Sequence, residues 1–251
     1  MRPSMIGRWR PHYWSRLFFL IALQSFITAP FFMGPLIGFF QWPLPYIFVL
    51  KKFWSEHSPI VYWLCAFLIF TFVHYWSHVA RHRIPFLWRW CHQMHHGAER
   101  FEAYTSLYMH PFEVILLRLS LLPLLSFAGL DFKTLSVLGL WYSFFNAWVH
   151  MNLRTPRWLG YIIFRPEQHS HHHAGEECNF GVFPIWDLVF GTFRNPLSHP
   201  EQIGFRPEVD KSFWAHLLGR HVSDRTLSEK EESPLVDRRE PAVFSSSLSR
   251  F

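Results

Sequence analysis

The sequence has few charged residues, few cysteines and none of several common catalytic motifs. Only 17% of its 251 residues are charged, whereas 50% are hydrophobic, which excludes a disordered or collagen-like chain. The three cysteines are odd in number and form no CxxC motif, so a disulfide framework is not expected. Neither HExxH nor GxGxxG occurs, which argues against a zinc-protease helix and a dinucleotide-binding turn.

Aromatic residues and long apolar runs, by contrast, are abundant. The chain contains 28 Phe, 13 Trp and 8 Tyr, a composition typical of proteins in contact with lipid. Apolar runs near 60–77, 112–130 and 134–149 are about long enough to cross a ~30 Å hydrocarbon core as helices. The segment 17–50 is interrupted by prolines, so one crossing and two crossings both stay open. We predict an all-α integral membrane protein with about four transmembrane helices.

Lys and Arg residues lie mainly on one side of these predicted spans. If residues 17–50 cross once net, Lys51, Lys52 and Lys133 are the basic residues of the opposite side. The positive-inside rule then places the N-terminus and residues 78–111 and 150–221 in the cytoplasm, where the two segments form a helical cap. Because the basic residues flank apolar spans and form no single stripe, nucleic acid is not an expected partner.

The composition changes near residue 222, where the chain becomes polar and loses any apolar period. We therefore predict one membrane-embedded domain over residues 1–221 and a disordered tail over residues 222–251. The sequence ends without a lysine-rich or KDEL-like retrieval signal, which favours a bacterial inner membrane over the endoplasmic reticulum.

Histidine is strongly enriched, and its spacing matters more than its number. Twelve of the 17 His residues lie between positions 74 and 173. His78 and His82 are four residues apart, which places both imidazoles on one helix face. The segments 92–96 and 169–173 each present two or three further imidazoles. Imidazole binds Fe, Zn, Cu or Ni, and three such segments supply more ligands than one tetrahedral ion needs. We predict two metal ions, and the scarcity of oxygen ligands disfavours calcium and magnesium.

These segments resemble the fatty acid hydroxylase/sterol desaturase superfamily of membrane di-iron enzymes. Similar to its first two histidine boxes is the stretch HYWSHVARHRIPFLWRWCHQMHH. Similar to the remaining elements is the stretch FFNAWVHMNLRTPRWLGYIIFRPEQHSHHHAGEECNFGVFPIWDLVFGTF. The MHPFE at 109–113 also looks like the family's connection into its second membrane hairpin. The resemblance covers about residues 60–195.

The resemblance implies nine iron ligands in this chain, which are His78, His82, His92, His95, His96, His150, His169, His172 and His173. For five further residues a ligand role and a supporting or purely structural role stay open; these are His74, His110, Asn146, His171 and Asp187. Metal-bound imidazoles usually donate their other N–H to a carboxylate or carbonyl. The acidic residues nearest in sequence are Glu167, Glu176, Glu177 and Asp187.

The resemblance implies an oxidoreductase that uses two iron ions and O2 to hydroxylate or desaturate an unactivated C–H position of a lipid. The lipid is expected to enter from the bilayer. Electrons are expected from an external donor of the cytochrome or ferredoxin/reductase type, docking on basic residues such as Arg81, Arg83 and Arg157. Two alternatives stay open, a membrane metal-binding protein and a zinc-dependent intramembrane hydrolase.

Overall fold

The computed structural model describes residues 13–32, 52–98, 100–117, 127–201, 203–204 and 213–220. All regular secondary structure in these ranges is helical, which confirms the predicted all-α class. We number the α-helices α1 to α8 in chain order: Tyr13–Phe32, Pro59–Arg83, Pro85–Leu87, Gln93–His96, Phe132–Val149, Pro166–His173, Pro184–Phe190 and Phe213–Leu217. Residues 52–56 and 111–117 are also helical. A π-helical turn, Trp88–His92, and two 3-10 turns, Ala103–Leu107 and Arg157–Tyr161, join these helices.

Helix α2 is the long apolar helix of the structure. It begins at Pro59, behind the N-cap Ser58, whose hydroxyl accepts a hydrogen bond from the Val61 N–H at 3.4 Å. It ends where Ile84 adopts an extended backbone before Pro85, as the ring of a following proline requires. Among the described residues, α2 alone is both long and apolar enough to cross a membrane.

The other predicted spans have different outcomes. Residues 134–149 lie in α5, which is helical but does not meet the same combined test of length and hydropathy. Helix α1 covers part of the segment 17–50, and the remainder lies outside the described residues. Residues 112–117 are helical, whereas 118–126 lie outside the described residues, as do 221–251. The number of crossings, the cytoplasmic cap and the disordered tail therefore stay predictions.

Helices α2 and α5 pack side by side through apolar and polar contacts. Phe70 of α2 belongs to a buried cluster with Leu138 of α5. The Tyr62 hydroxyl hydrogen-bonds the Thr134 hydroxyl at 2.8 Å, and Asp131 caps α5 by accepting from the Thr134 N–H at 2.7 Å. Because of this alignment, the later turns of α5 lie against the histidine-bearing face of α2.

The segment after α2 turns back and is held by α1. The π-helical turn contains one more residue per turn than an α-helix, a feature that often marks functional sites, and it leads directly into α4. Leu17 and Leu20 of α1 pack against Met94 of α4. The Gln24 side chain donates to the Met109 carbonyl at 2.7 Å. These contacts fix α4 and the segment that follows it against α1.

Candidate metal centre

The structure gathers the nine histidines predicted as ligands into two compact groups. Within each group, one ring nitrogen per residue lies within 4.8 Å of the others. The five-histidine group consists of His78, His82, His92, His96 and His172. The four-histidine group consists of His95, His150, His169 and His173. Proximity agrees with the sequence prediction, while the binding of metal by these residues stays a proposal.

Four pieces of chain supply these histidines, and two of the pieces serve both groups. Neighbouring residues of a helix point about 100° apart, so His95 and His96 of α4 face different groups. His172 and His173 of α6 divide in the same way. The rings of His96 and His173 stack with centroids 4.4 Å apart. The two groups are therefore adjacent, and α4 and α6 each contribute to both.

Backbone carbonyls fix the orientation of several of these rings. The Nδ1 atoms of His78 and His172 hydrogen-bond the carbonyls of Phe180 and Cys178 at 2.7 and 2.9 Å. Nδ1 of His150 bonds the carbonyl of Asn146 at 2.7 Å. A carbonyl oxygen only accepts, so Nδ1 carries the proton in each ring and Nε2 keeps its lone pair. The lone pairs therefore point into the groups.

His95 follows the same rule, with Nδ1 donating to the Tyr108 carbonyl at 3.2 Å. Nε2 of His95 lies 3.2 Å from Nε2 of His150, and Nε2 of His78 lies 3.1 Å from Nε2 of His172. Each of these pairs joins two unprotonated nitrogens, so no hydrogen bond can form between them. Two nitrogens bound ~2.1 Å from one ion at a right angle lie ~3.0 Å apart. The donor set and its spacing thus fit a shared cation.

Burial keeps the imidazoles outside α2 neutral. Desolvation lowers the pKa of His150 to about 4 and that of His172 to about 3. It also holds the pKa of the remaining ligand histidines outside α2 well below the usual range, namely His92, His95, His96, His169 and His173. Neutral rings are the form that binds metal, so these rings need not lose a proton at neutral pH.

A buried carboxylate that the sequence analysis missed contacts the five-histidine group. Oε1 of Glu113 accepts a hydrogen bond from Nδ1 of His92 at 2.7 Å and forms an ion pair with the guanidinium of Arg81. The side chains of Glu113 and Arg81 are 1% and 5% exposed. The available signal was a single carboxylate, within the MHPFE segment, at the start of an apolar run. Arg81 is thus an internal residue, and its expected role in docking an electron donor is wrong.

The four carboxylates nearest in sequence form other contacts. Glu167 accepts from the Thr155 N–H and hydroxyl, while Glu176 and Glu177 pair with His171 and Arg83. Their expected role as direct partners of the ligand histidines is therefore wrong. The fourth, Asp187, has a structural role described next.

Asp187 anchors the loop that orients His78. Its carboxylate accepts from the N–H groups of Phe180 and Gly181 at 2.8 and 2.7 Å and from the Thr192 hydroxyl at 2.6 Å. The pKa of Asp187 is raised to about 6 by burial. Because the Phe180 carbonyl is the acceptor for His78, Asp187 acts on the metal centre through the backbone.

Two of the less certain residues, His110 and His171, lie outside both groups and have other partners. His110 bonds the Leu217 carbonyl through Nε2 at 3.0 Å and accepts from the Phe112 N–H through Nδ1 at 3.1 Å. His171 pairs with Glu176 through Nδ1 and with the Ser198 carbonyl through Nε2 at 3.0 Å. Both ring nitrogens are thus occupied in each residue, which is inconsistent with a ligand role.

A cavity adjoins both groups between α2 and α5. Its residues on the side of the metal centre include His78 and His92 from one group and His95 and His169 from the other. The cavity is also lined by Gly181, by four apolar side chains and by further polar ones; these are Met109, Phe145, Val149 and Phe164, and His74, Arg81, Glu113, Tyr142 and Asn146. Asn146 and His74, the remaining less certain residues, therefore lie beside the centre and not in either group.

Comparison with known proteins places this centre in a family. Residues 63–192, just over half of the chain, match the fatty acid hydroxylase family. The chain belongs to the fatty acid hydroxylase family. This range contains all nine clustered histidines, Glu113 and Asp187, and the match confirms the resemblance found in the sequence.

Relatives named for different activities share this region. A cholesterol 25-hydroxylase-like protein of Caenorhabditis elegans is 37% identical over 168 residues, covering 66% of this chain and 48% of the relative. A very-long-chain aldehyde decarbonylase of Oryza sativa subsp. japonica is 31% identical over 160 residues, covering 58% and 25%. A Delta(7)-sterol 5(6)-desaturase of Gibberella zeae is 24% identical over 225 residues, covering 87% and 62%.

The alignments thus span about a quarter to 62% of the length of these three relatives. No solved structure matches the chain. The three relatives come from eukaryotes, so the bacterial inner membrane stays a prediction.

Proposed function

We propose that the protein is a membrane oxidoreductase that uses two iron ions and O2 to hydroxylate or desaturate an unactivated C–H position of a lipid. The observation that carries the proposal is the pair of histidine groups with converging, unprotonated nitrogens beside one cavity. Family membership supports the lipid and the oxidoreductase chemistry. Two iron ions, when bound, would supply the redox chemistry with O2 that side chains alone lack.

Iron is favoured over a single structural zinc by the number and spacing of the nitrogens. A structural zinc takes four ligands in a tetrahedron, with nitrogens bound at ~2.1 Å lying ~3.4 Å apart. The five-histidine group offers one nitrogen more, and Nε2 of His78 lies 2.8 Å from that of His92 and 3.1 Å from that of His172. These separations suit the right angles of a higher coordination number.

The protein's own part is to hold the rings and to place a lipid beside them. The carbonyls of Phe180, Cys178, Asn146 and Tyr108 and the carboxylate of Glu113 fix ring orientation, so the centre is organised before substrate arrives. The apolar side chains that line the cavity, such as Phe145 and Phe164, would exclude water and bind the lipid chain. The electron donor is proposed to be a separate protein, with exposed Arg83 in place of buried Arg81 as a contact.

Metal analysis of single variants tests this proposal. Wild-type protein, purified in detergent after growth with iron, is expected to contain about two irons per chain. His172→Ala and His150→Ala each remove a ligand from a different group, so each is expected to retain about one iron. His171→Ala is the matched control, since this neighbour of His172 has both ring nitrogens in other hydrogen bonds.

One tightly bound zinc per chain, or a metal content independent of His150 and His172, would contradict the di-iron assignment and favour the hydrolase or metal-binding alternatives. Two irons without O2-dependent turnover of any lipid in a screen of sterols and acyl lipids would favour a metal-binding protein. The screen also separates hydroxylation from desaturation by the product formed.

A further inference from the structure

His74 has an environment that the metal centre does not explain. It lies one helical turn before His78 on α2 and is 4% exposed. Neither ring nitrogen has a hydrogen-bond partner among the described residues. Buried polar atoms in folded proteins are nearly always satisfied by protein, water or ligand. A bound group is therefore the expected partner of His74.

The surroundings of His74 indicate what kind of group this is. The residue lines the cavity that adjoins both histidine groups, together with Tyr142 and Asn146. The ring centroids of His74 and Tyr142 are 4.7 Å apart, and those of His74 and His78 are 6.0 Å apart. Four apolar side chains, Phe145 among them, line the same cavity together with the polar side chains of the metal centre. A ligand in this cavity thus has an apolar part and a polar atom close to the metal centre.

We propose that His74 is a substrate-binding residue that hydrogen-bonds a hydroxyl group of the lipid, next to the carbon that is oxidised. This inference rests on the proposed function and specifies its substrate class. A neutral imidazole has one donor and one acceptor nitrogen. A hydroxyl group can both donate and accept, so it pairs with either nitrogen in either tautomer. A plain hydrocarbon chain pairs with neither and would leave both nitrogens buried without partners.

The closeness of the two rings gives the position of the hydroxyl along the lipid. A hydrogen bond holds the hydroxyl oxygen about 3 Å from a nitrogen of His74. Since the centroid of the His78 ring is only 6.0 Å from that of His74, the oxygen lies within a few carbon–carbon bonds of the centre. His74 therefore selects where on the molecule oxidation takes place as well as which molecules bind.

The test compares binding of lipid alcohols with binding of the same lipids without the hydroxyl. The probes are hexadecan-1-ol with hexadecane, and cholesterol with its 3-deoxy analogue, added to iron-loaded full-length protein in detergent. We expect the wild type to bind the alcohol about tenfold more tightly than its partner in at least one pair. His74→Phe keeps an aromatic ring without nitrogens and should reduce that ratio to about one, with iron content unchanged.

Phe145→Leu is the matched control, because it alters an apolar side chain that lines the same cavity and leaves His74 intact. It should weaken binding of both members of a pair and preserve their ratio. If His74→Phe does not fold, His74→Met provides the same test with a flexible apolar side chain.

Three results would overturn the proposal. The first is a wild type that binds both members of each pair equally. The second is a preference for the alcohol that persists in His74→Phe, where water then satisfies the hydroxyl group. The third is a loss of iron in the His74 variants, which would make His74 a ligand. If wild-type protein binds no iron and still prefers an alcohol, the proposed di-iron function is refuted and the hydroxyl-binding site stands.

Discussion

Replacing Glu113 by Ala is expected to weaken both the fold and the five-histidine group. The substitution leaves the guanidinium of Arg81, which is 5% exposed, without its ion-pair partner. It also leaves Nδ1 of His92 without the acceptor that now lies 2.7 Å away. Removing one partner of a buried ion pair costs about 3–5 kcal/mol of stability. Removing the partner of a metal-bound histidine lowers metal affinity about 10- to 100-fold.

The assay combines thermal unfolding in detergent with iron titration of the metal-free protein. Glu177→Ala is the matched control, since Glu177 pairs at 2.5 Å with Arg83, another arginine near the end of α2. The side chains of that pair are 60% and 62% exposed, so solvent screening reduces its contribution to about 0–1 kcal/mol. Glu177→Ala should leave unfolding and iron affinity close to those of the wild type.

Two further variants separate charge from hydrogen bonding. Glu113→Gln keeps an oxygen acceptor for His92 while removing the charge opposite Arg81, so iron affinity should fall less than in Glu113→Ala. The double variant Arg81→Met/Glu113→Leu removes both charges and should recover part of the lost stability. The reasoning is refuted if Glu113→Ala unfolds and binds iron as Glu177→Ala does.

Three other predictions concern the loop before α7, the effect of low pH and the removal of metal. A Cβ on Gly181 would lie 2.5 Å from Oδ2 of Asp187, so Gly181→Ala should displace the loop that orients His78 and lower both the melting temperature and the iron content. The pKa values of about 4 for His150 and about 3 for His172 lie below the ~6.5 of an unfolded chain. Their contribution to the free energy of unfolding of metal-free protein, measured across a pH series, should therefore be constant above about pH 6.5 and fall as the pH drops towards 4. The raised pKa values of Asp187, about 6, and Glu113, about 7, contribute with the opposite sign. Chelation of iron should lower the melting temperature, and re-addition should restore it; an unchanged melting temperature would mean that the folded state does not depend on metal.

The histidine spacing predicted shared helix faces, because residues four apart lie on one face whatever the tertiary structure, and the family resemblance predicted which nine histidines assemble. It did not predict their division into five and four. That division depends on how α4 and α6 are placed, because His95 and His96 of α4 join different groups, as do His172 and His173 of α6. Such placement arises from long-range contacts, for example Leu17 and Leu20 of α1 against Met94, which no local pattern reveals.

The carboxylates also show that proximity in sequence does not predict which side chains are in contact. Glu167, Glu176 and Glu177 are close to the third histidine box in sequence, yet their side chains bond Thr155, His171 and Arg83. Glu113, 21 residues from His92, is the carboxylate that reaches a ligand ring. Proximity in sequence is a poor guide here because helices α2, α4 and α6 meet at the centre from different directions. Only the assembled fold specifies which carboxylate lies behind which ring.

The position of the centre within the fold explains why metal and folding should be coupled. Two buried apolar clusters lie around α1 and between α2 and α5, and a third joins the end of α5 to Phe164 and Val182. The place where α2, α4 and α6 converge is filled by imidazoles. There, unprotonated nitrogens such as Nε2 of His78 and His172 face each other at 3.1 Å. Without a cation, this arrangement sets lone pair against lone pair in a medium that excludes water, which costs free energy. With a cation, the same arrangement is attractive, so bound metal would stabilise this region of the fold as apolar packing stabilises an ordinary core.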